Sequence, residues 1–253
     1  MEDSILYDYA TRSFRNVADS DYITARLCYR NNLSLQFLWM AEQAFEKYLK
    51  AILLYNKNSS KGINHKLMEA VKRIDEINSF KFELSEDSRE FIKYISEVGM
   101  NRYLSTFVIS SGNLLHSLDK TVFELRLYCN VKFETKSLLG VEFSKIASYE
   151  INQEEIRKLI RSNSPNNFRL EKGVLEKILN RVNDIKRESL IWKNLYYGYS
   201  SDDINLNDMP FEFITPPSIT NGDSFKEIQN YIYFTKEEVK YIDAFIKNNK
   251  KSN

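Results

Sequence analysis

The chain has 253 residues, of which 43% are hydrophobic, and its 16 Tyr and 16 Phe are ample for a packed core. Lysine and arginine total 36 against 35 aspartates and glutamates, which excludes a global charge that would draw the chain to nucleic acid or membrane. Seven Gly and four Pro are few, which favours long helices. Cys28 and Cys129 stand apart from each other and from clustered histidines, so we expect buried thiols and no metal site.

The clearest helical pattern in the N-terminal half runs from Leu33 to Tyr55. Its apolar residues recur at spacings of three or four, which places one set on a single helix face: Phe37, Ala41, Ala44, Tyr48, Ile52 and Tyr55. Phe45 widens this stripe, while Glu42, Glu46 and Lys50 lie opposite it and are expected in solvent. The pattern predicts a core helix of an α-helical bundle.

The segments on either side predict the other helices of this bundle. Residues 1–19 suggest a short helix or docking arm, and Ser20 is expected to cap a helix from Asp21 to about Arg30. Three more helices are predicted over residues 64–78, with Asn64 as the cap, 86–98 and 101–130. Short connections between them predict an up-and-down bundle over residues 1–130.

The pattern of residues 131–253 differs and predicts a mostly helical extension with long loops, docked on the bundle. The predicted fold class is therefore mainly α. Residues 131–151 fit a hairpin or an extended connector. Two capping boxes, Asn152 with Glu155 and Thr235 with Glu238, predict helix starts. Further helices are predicted over 170–182 and 188–197, and the proline-containing residues 200–223 predict an irregular surface loop.

The core-helix segment Ala41–Ala51, AEQAFEKYLKA, resembles the second helix of the HEPN family (higher eukaryotes and prokaryotes nucleotide-binding domain). DYITAR at residues 21–26 resembles the family's opening helix, and NHKL at 64–67 resembles the turn into its third helix. The resemblance covers roughly residues 1–130. It implies a module that binds RNA or nucleotides and often forms homodimers. It also implies bacterial conflict settings, such as phage defence or toxin–antitoxin pairs with a partner protein encoded nearby.

Many HEPN domains are ribonucleases, whose site is an Arg followed four to six residues later by a His. Arg102 matches that Arg, but Phe107 and Val108 stand where the His is expected. His116 comes 14 residues after Arg102, roughly 21 Å along one helix at about 1.5 Å per residue. Since His is the usual acid–base group near neutral pH, this departure argues against the usual ribonuclease chemistry. Arg102 could still grip a phosphate beside a stacking Tyr103, or it could pair with a nearby acid.

Other candidate binding residues have two interpretations each. Lys47 and Lys50 belong to the HEPN-like pattern and could line a nucleotide pocket or form a solvated ion-pair face. His65 could contact an anion at a helix start or act as a structural cap. Lys193, in an aromatic cluster over residues 190–199, could help to bind single-stranded nucleic acid, or the cluster could dock the extension onto the bundle.

The sequence therefore predicts a non-catalytic HEPN-like module that binds nucleic acid or protein. A cytoplasmic location is expected, because no signal-peptide or membrane-spanning pattern is visible. The HEPN resemblance implies a homodimer, and no cofactor is expected because no Walker-type loop or zinc signature is visible. Two alternatives remain open. One is an atypical metal-independent endoribonuclease that uses Arg102 with Tyr103, and the other is a structural scaffold for a neighbouring enzyme.

Overall fold

The structure is a computed structural model that describes residues 3–98, 109–110, 113–138, 141–162, 168–198, 211–212, 221–234 and 236–249. It is mainly α-helical, as predicted. Two compact units are present, the first formed by Met1–Gly99 with Asn113–Asn207 and the second by Met100–Gly112 with Asp208–Asn253. Among the described residues, no helix combines the length and the apolar character needed to cross a membrane.

The helices of the first unit begin almost at the N-terminus. They are α1 (Asp3–Tyr9), a π-helical segment (Ala10–Arg15), α2 (Asn16–Arg30), α3 (Ser34–Tyr55), α4 (Leu67–Asp75), α5 (Glu86–Val98) and α6 (Leu114–Leu127). The predicted cap at Ser20 is wrong, because Ser20 lies inside α2 and its hydroxyl donates to the carbonyl of Asn16. Asn64 does not cap α4 either, because that helix starts only at Leu67.

Helix α3 lies at the centre of this bundle and packs against α2, α4, α5, α6 and the π-helical segment. Phe45 and Tyr48 are both 0% exposed, which confirms the predicted core face. The prediction that Glu42 and Glu46 lie in solvent is wrong, because both side chains are buried. The chain that follows α3 returns to the face with Glu42 and Glu46 and brings His65 against the two carboxylates.

The predicted helix over residues 101–130 is partly wrong. Its described C-terminal part is α6, but Ile109–Ser110 forms strand β1, which pairs antiparallel with β4 (Phe211–Glu212) in the second unit. Residues 101–108, including Arg102 and Tyr103, lie outside the described residues. A β-branched residue such as Ile109 favours a strand where a partner strand is available.

Of the two interpretations of residues 131–151, the paired strands favour the hairpin: β2 (Val131–Leu138) pairs antiparallel with β3 (Val141–Tyr149), and a register shift occurs between Lys132 and Phe133. The described residues that follow in this unit form α7 (Gln153–Arg161), α8 (Val174–Leu179) and α9 (Ile185–Ile191). The Asn152 side chain accepts from the Glu155 backbone amide at 3.1 Å, which confirms the predicted cap of α7. Helices α8 and α9 are shorter than predicted and pack on α2.

Buried arginines join the bundle to the segment that follows it. Arg26 of α2 is 0% exposed and binds Asp119 of α6, and its Nε donates to the carbonyl of Ser189 at 2.8 Å. Arg126 of α6, also 0% exposed, lies 2.9 Å from Asp19 through Nε and 2.8 Å from Glu176 through a terminal nitrogen.

The environments of Glu176 and Asp119 shift the pKa values of these two carboxyl groups in opposite directions. Burial raises the pKa of Glu176, but the positive charge of Arg126 and its hydrogen bonds outweigh burial, so the pKa lies below its usual value. At Asp119 burial is the stronger effect and leaves the pKa above its usual value despite the charge of Arg26.

The second unit has its own small core. Helices α10 (Gly222–Ile228) and α11 (Lys236–Asn249) enclose Phe225, Ile242 and Ile246, which are all buried. Asn221 caps α10 by accepting from the Asp223 amide at 3.0 Å. The described end of the chain therefore contains the predicted final helix, whereas the cap predicted at Thr235 lies outside the described residues.

Candidate functional site

Two glutamates of α3 and the histidine at position 65, between α3 and α4, form a cluster. Glu42 and Glu46 are one helical turn apart, so their carboxylates project from the same face. The Nδ1 atom of His65 lies 3.1 Å from Oε1 of Glu42 and 2.9 Å from Oε2 of Glu46. The Glu42 side chain is fully buried, while 39% of the His65 side chain is exposed. We call these three residues the carboxylate–histidine cluster.

The predicted lysines lie next to this cluster, but carboxylates already bind them. Lys50 pairs with Glu46 one turn earlier on α3. Lys47 lies 2.6 Å from a carboxylate oxygen of Asp21 on α2, and it donates to the Gln43 side chain at 3.1 Å. The structure thus brings His65, Lys47 and Lys50 to the same region of α3. Their acidic neighbours make this region a network of ion pairs rather than a positive patch.

The cluster offers two kinds of chemistry. Its three ligand atoms all lie within 4.8 Å of one another, and a mixed set of carboxylate oxygen and imidazole nitrogen suits a divalent transition metal. A metal would require neutral His65 and would displace its contacts with the carboxylates. Alternatively, a partly exposed imidazole oriented by a carboxylate has the arrangement of a general base with its orienting group.

The sequence contained one signal for this cluster that our prediction did not use. Glu42 and Glu46 are four residues apart, the spacing at which two side chains on a helix can share a ligand. We assigned both to solvent because they lie opposite the aromatic stripe. The contact with His65 depends on the path of the loop after α3, which the helical pattern does not encode.

The remaining predicted site residues lie elsewhere. Lys193 follows α9, and its ammonium lies 5.3 Å from the ring centroid of Trp192, whose ring also has the Arg30 guanidinium at 5.4 Å. Within the aromatic cluster, Leu190, Tyr196 and Tyr197 are buried. Arg102 and Tyr103 fall outside the described residues, so their role stays a prediction.

The second histidine of the chain packs in the bundle. His116 lies on α6, and its ring stacks on that of Tyr196 with 6.2 Å between centroids and 22° between planes. Tyr196 in turn stacks on Phe123 at 4.7 Å. One histidine therefore contacts two carboxylates, and the other contacts an aromatic ring.

These elements define a helical-bundle protein whose central helix contributes two buried carboxylates to a carboxylate–histidine cluster. Residues 11–119 match the sequence model of the HEPN domain, in agreement with the resemblance seen in the sequence. The match begins in the π-helical segment and ends within α6. Comparison of the chain with curated proteins and with solved structures gave no match.

Proposed function

We propose that this protein is a HEPN-type nucleic-acid-binding module that does not cleave RNA by the usual Arg–His chemistry of the family. Arg102 and Tyr103 would contact the phosphate and the base, and Lys47, Lys50, His65 and Lys193 are further contact candidates. A homodimer would bring two copies of the Arg102 segment to one groove. A bacterial setting of phage defence or a toxin–antitoxin pair, with a partner protein encoded nearby, fits a module of this family.

The placement of both histidines carries the proposal. His65 contacts Glu42 and Glu46, and His116 stacks on Tyr196. The chain has only these two histidines, and neither stands four to six residues after Arg102. Arg stays charged at neutral pH and is a poor acid–base group, so Arg102 alone favours binding over cleavage.

An atypical metal-independent endoribonuclease is the second candidate, and one observation favours it. His65 is partly exposed and is oriented by Glu46 at 2.9 Å, as a general base would be. In that case His65 would take the proton of the ribose 2′-hydroxyl, and Arg102 would stabilise the charge that develops on the phosphate.

Binding and cleavage of a fluorescein-labelled single-stranded RNA by the purified protein distinguish these functions. We expect RNA binding that weakens as salt rises, a further loss in Arg102→Ala, and intact RNA on a denaturing gel. Cleavage that disappears in His65→Ala, but persists in the surface control Arg181→Ala, would establish the ribonuclease instead. Absence of binding at low salt would leave a protein-binding scaffold.

A further inference from the structure

Two adjoining cavities open in the first unit, away from the carboxylate–histidine cluster. Their volumes are about 320 and 720 Å³, and both are lined by Ser79, Phe80 and Ile151. They lie where the chain after α4 meets the end of α3, the end of β3 and the start of α7. We call the two cavities together the aromatic–basic groove.

The smaller cavity has a fixed aromatic wall. The ring of Tyr149 stacks on the buried ring of Tyr55 with 4.8 Å between centroids and 19° between planes, and the ring of Tyr7 lies 5.9 Å from that of Tyr149. The partly exposed rings of Tyr7, Phe80 and Tyr149 form the accessible part of this wall. The Tyr149 hydroxyl donates to the Tyr128 carbonyl at 3.0 Å and accepts from the Asn56 amide at 3.2 Å. These contacts orient the ring before any ligand arrives, which lowers the entropy lost on binding.

Basic side chains line the rest of the groove. Lys57 lies on the smaller cavity, and Lys81, Arg89 and Arg157 lie on the larger one, where Asp75 is the acidic lining residue. Asp75 holds Arg89 through two contacts of 2.9 and 3.0 Å. With Asp3 and Glu83, which pair with the other three cations, the groove has four cations and three carboxylates, so one positive charge is left over for an anion.

Three of these cations are exposed enough to exchange partners. The exposed fractions of the Lys57, Lys81 and Arg157 side chains are 55%, 74% and 45%, and their carboxylate partners are Asp3 and Glu83. Exposed ion pairs contribute only about 0–1 kcal/mol each, so a phosphate can replace a carboxylate at little cost. Sites that bind single-stranded nucleic acid commonly combine aromatic side chains with such cations.

We infer that the aromatic–basic groove binds a short stretch of single-stranded RNA, with bases against the aromatic wall and phosphates on Lys81 and Arg157. This inference rests on the proposed nucleic-acid function but assigns it a second surface, distinct from the Arg102 segment. Tyr7, Tyr149, Ile151 and Arg157 lie outside the HEPN match at residues 11–119. The hairpin and α7 therefore complete a binding surface that the HEPN helices alone lack. Each cavity is within the size range of roughly 300–1,000 Å³ of small-ligand sites.

The test uses fluorescence anisotropy with a labelled oligouridine of twelve nucleotides and the full chain. Phe80→Ala removes a stacking surface and should weaken binding about 5- to 100-fold. Arg157→Gln removes one phosphate contact, so the slope of log affinity against log salt should become shallower by about 0.7. Arg181→Gln is the matched control, because Arg181 is an exposed arginine, 60% exposed and 3.5 Å from Asp184, and does not line the groove. It should change neither quantity.

The outcomes separate this inference from the proposed function. The groove variants are compared only if their melting temperatures are native. If Arg102→Ala weakens binding and they do not, the assignment of RNA to the groove is wrong and the nucleic-acid function stands. If no variant matters because wild-type protein does not bind RNA, both are wrong. Binding of a strand in the groove would be wrong if a duplex of the same length bound with equal affinity. It would also be wrong if uridine monophosphate displaced the strand completely and bound as tightly as the strand itself. A changed salt slope in Arg157→Gln alone would support it, because a purely structural role does not alter that slope.

Discussion

We expect Arg126→Met to destabilise the folded protein by about 3–5 kcal/mol, because it leaves buried carboxylates without their cation. Arg126 is 0% exposed, and its guanidinium binds Asp19, which is also 0% exposed, and Glu176, which is 13% exposed. Methionine retains much of the side-chain volume, so the loss reports mainly on charge and hydrogen bonding. The remaining partners of Asp19, the Tyr48 hydroxyl at 2.5 Å and the Val174 amide at 3.2 Å, are neutral and cannot replace the charge.

Urea unfolding followed by circular dichroism measures this loss, and for a unit of this size about 3–5 kcal/mol corresponds to roughly 6–20 °C in melting temperature. The control is Arg12→Met, since Arg12 pairs with Asp8 while 69% of the Arg12 side chain is exposed, and it should cost less than about 1 kcal/mol. If Arg126→Met does not fold, Glu176→Gln keeps the shape of the site and should give a smaller measurable loss. Equal losses in Arg126→Met and Arg12→Met would refute the reasoning that burial makes this ion pair costly to break.

Further measurements test other parts of the structure. Phe45→Ala should cost about 3–5 kcal/mol because the ring is 0% exposed, and an unchanged melting temperature would contradict its place in the core. The hydrogen bond from Arg157 holds the pKa of Glu83 down to about 2, so the folded state binds fewer protons than the unfolded state as acid is added. Stability should therefore fall from about pH 5 to pH 2, and Glu83→Gln should lessen that slope. Light scattering at micromolar concentration should give a homodimer, and a monomer would remove the composite groove proposed at Arg102. A fragment of residues 1–130 should melt well below the full chain, and equal melting temperatures would exclude a stabilising role for the segment that follows.

Periodicity predicted the parts of the fold that one segment encodes by itself. Helix α3 was predicted over residues 33–55 and spans Ser34–Tyr55, and α5 was predicted over 86–98 and spans Glu86–Val98. Both have an apolar face broad enough to fix the helical period. Over residues 131–151 the apolar residues near a glycine indicated a hairpin or an extended connector, and the structure has paired strands there.

The errors lie where distant segments meet. Ile109–Ser110 pairs with Phe211–Glu212, a partner far along the chain, so the local helical pattern around it was misleading. Glu42 was placed in solvent by the same pattern, although His65 and the surrounding chain cover it. Charged residues do not mark their own burial in a sequence, because their burial depends on an opposite charge supplied by another element.

The buried charges also link the helices of the HEPN match to residues beyond it. The family match stops at Asp119, which binds Arg26, but Arg26 also needs the carbonyl of Ser189, well beyond the match. Water could supply that acceptor only if α2 were uncovered, and then the Arg26–Asp119 pair would no longer be buried. The segment that supplies Ser189 is thus part of what makes the charged interior of the HEPN helices stable. The groove that we assign to RNA strands uses Tyr149 and Arg157, and the buried charge network uses Glu176 and Ser189, so both depend on the part of the first unit that follows the HEPN match.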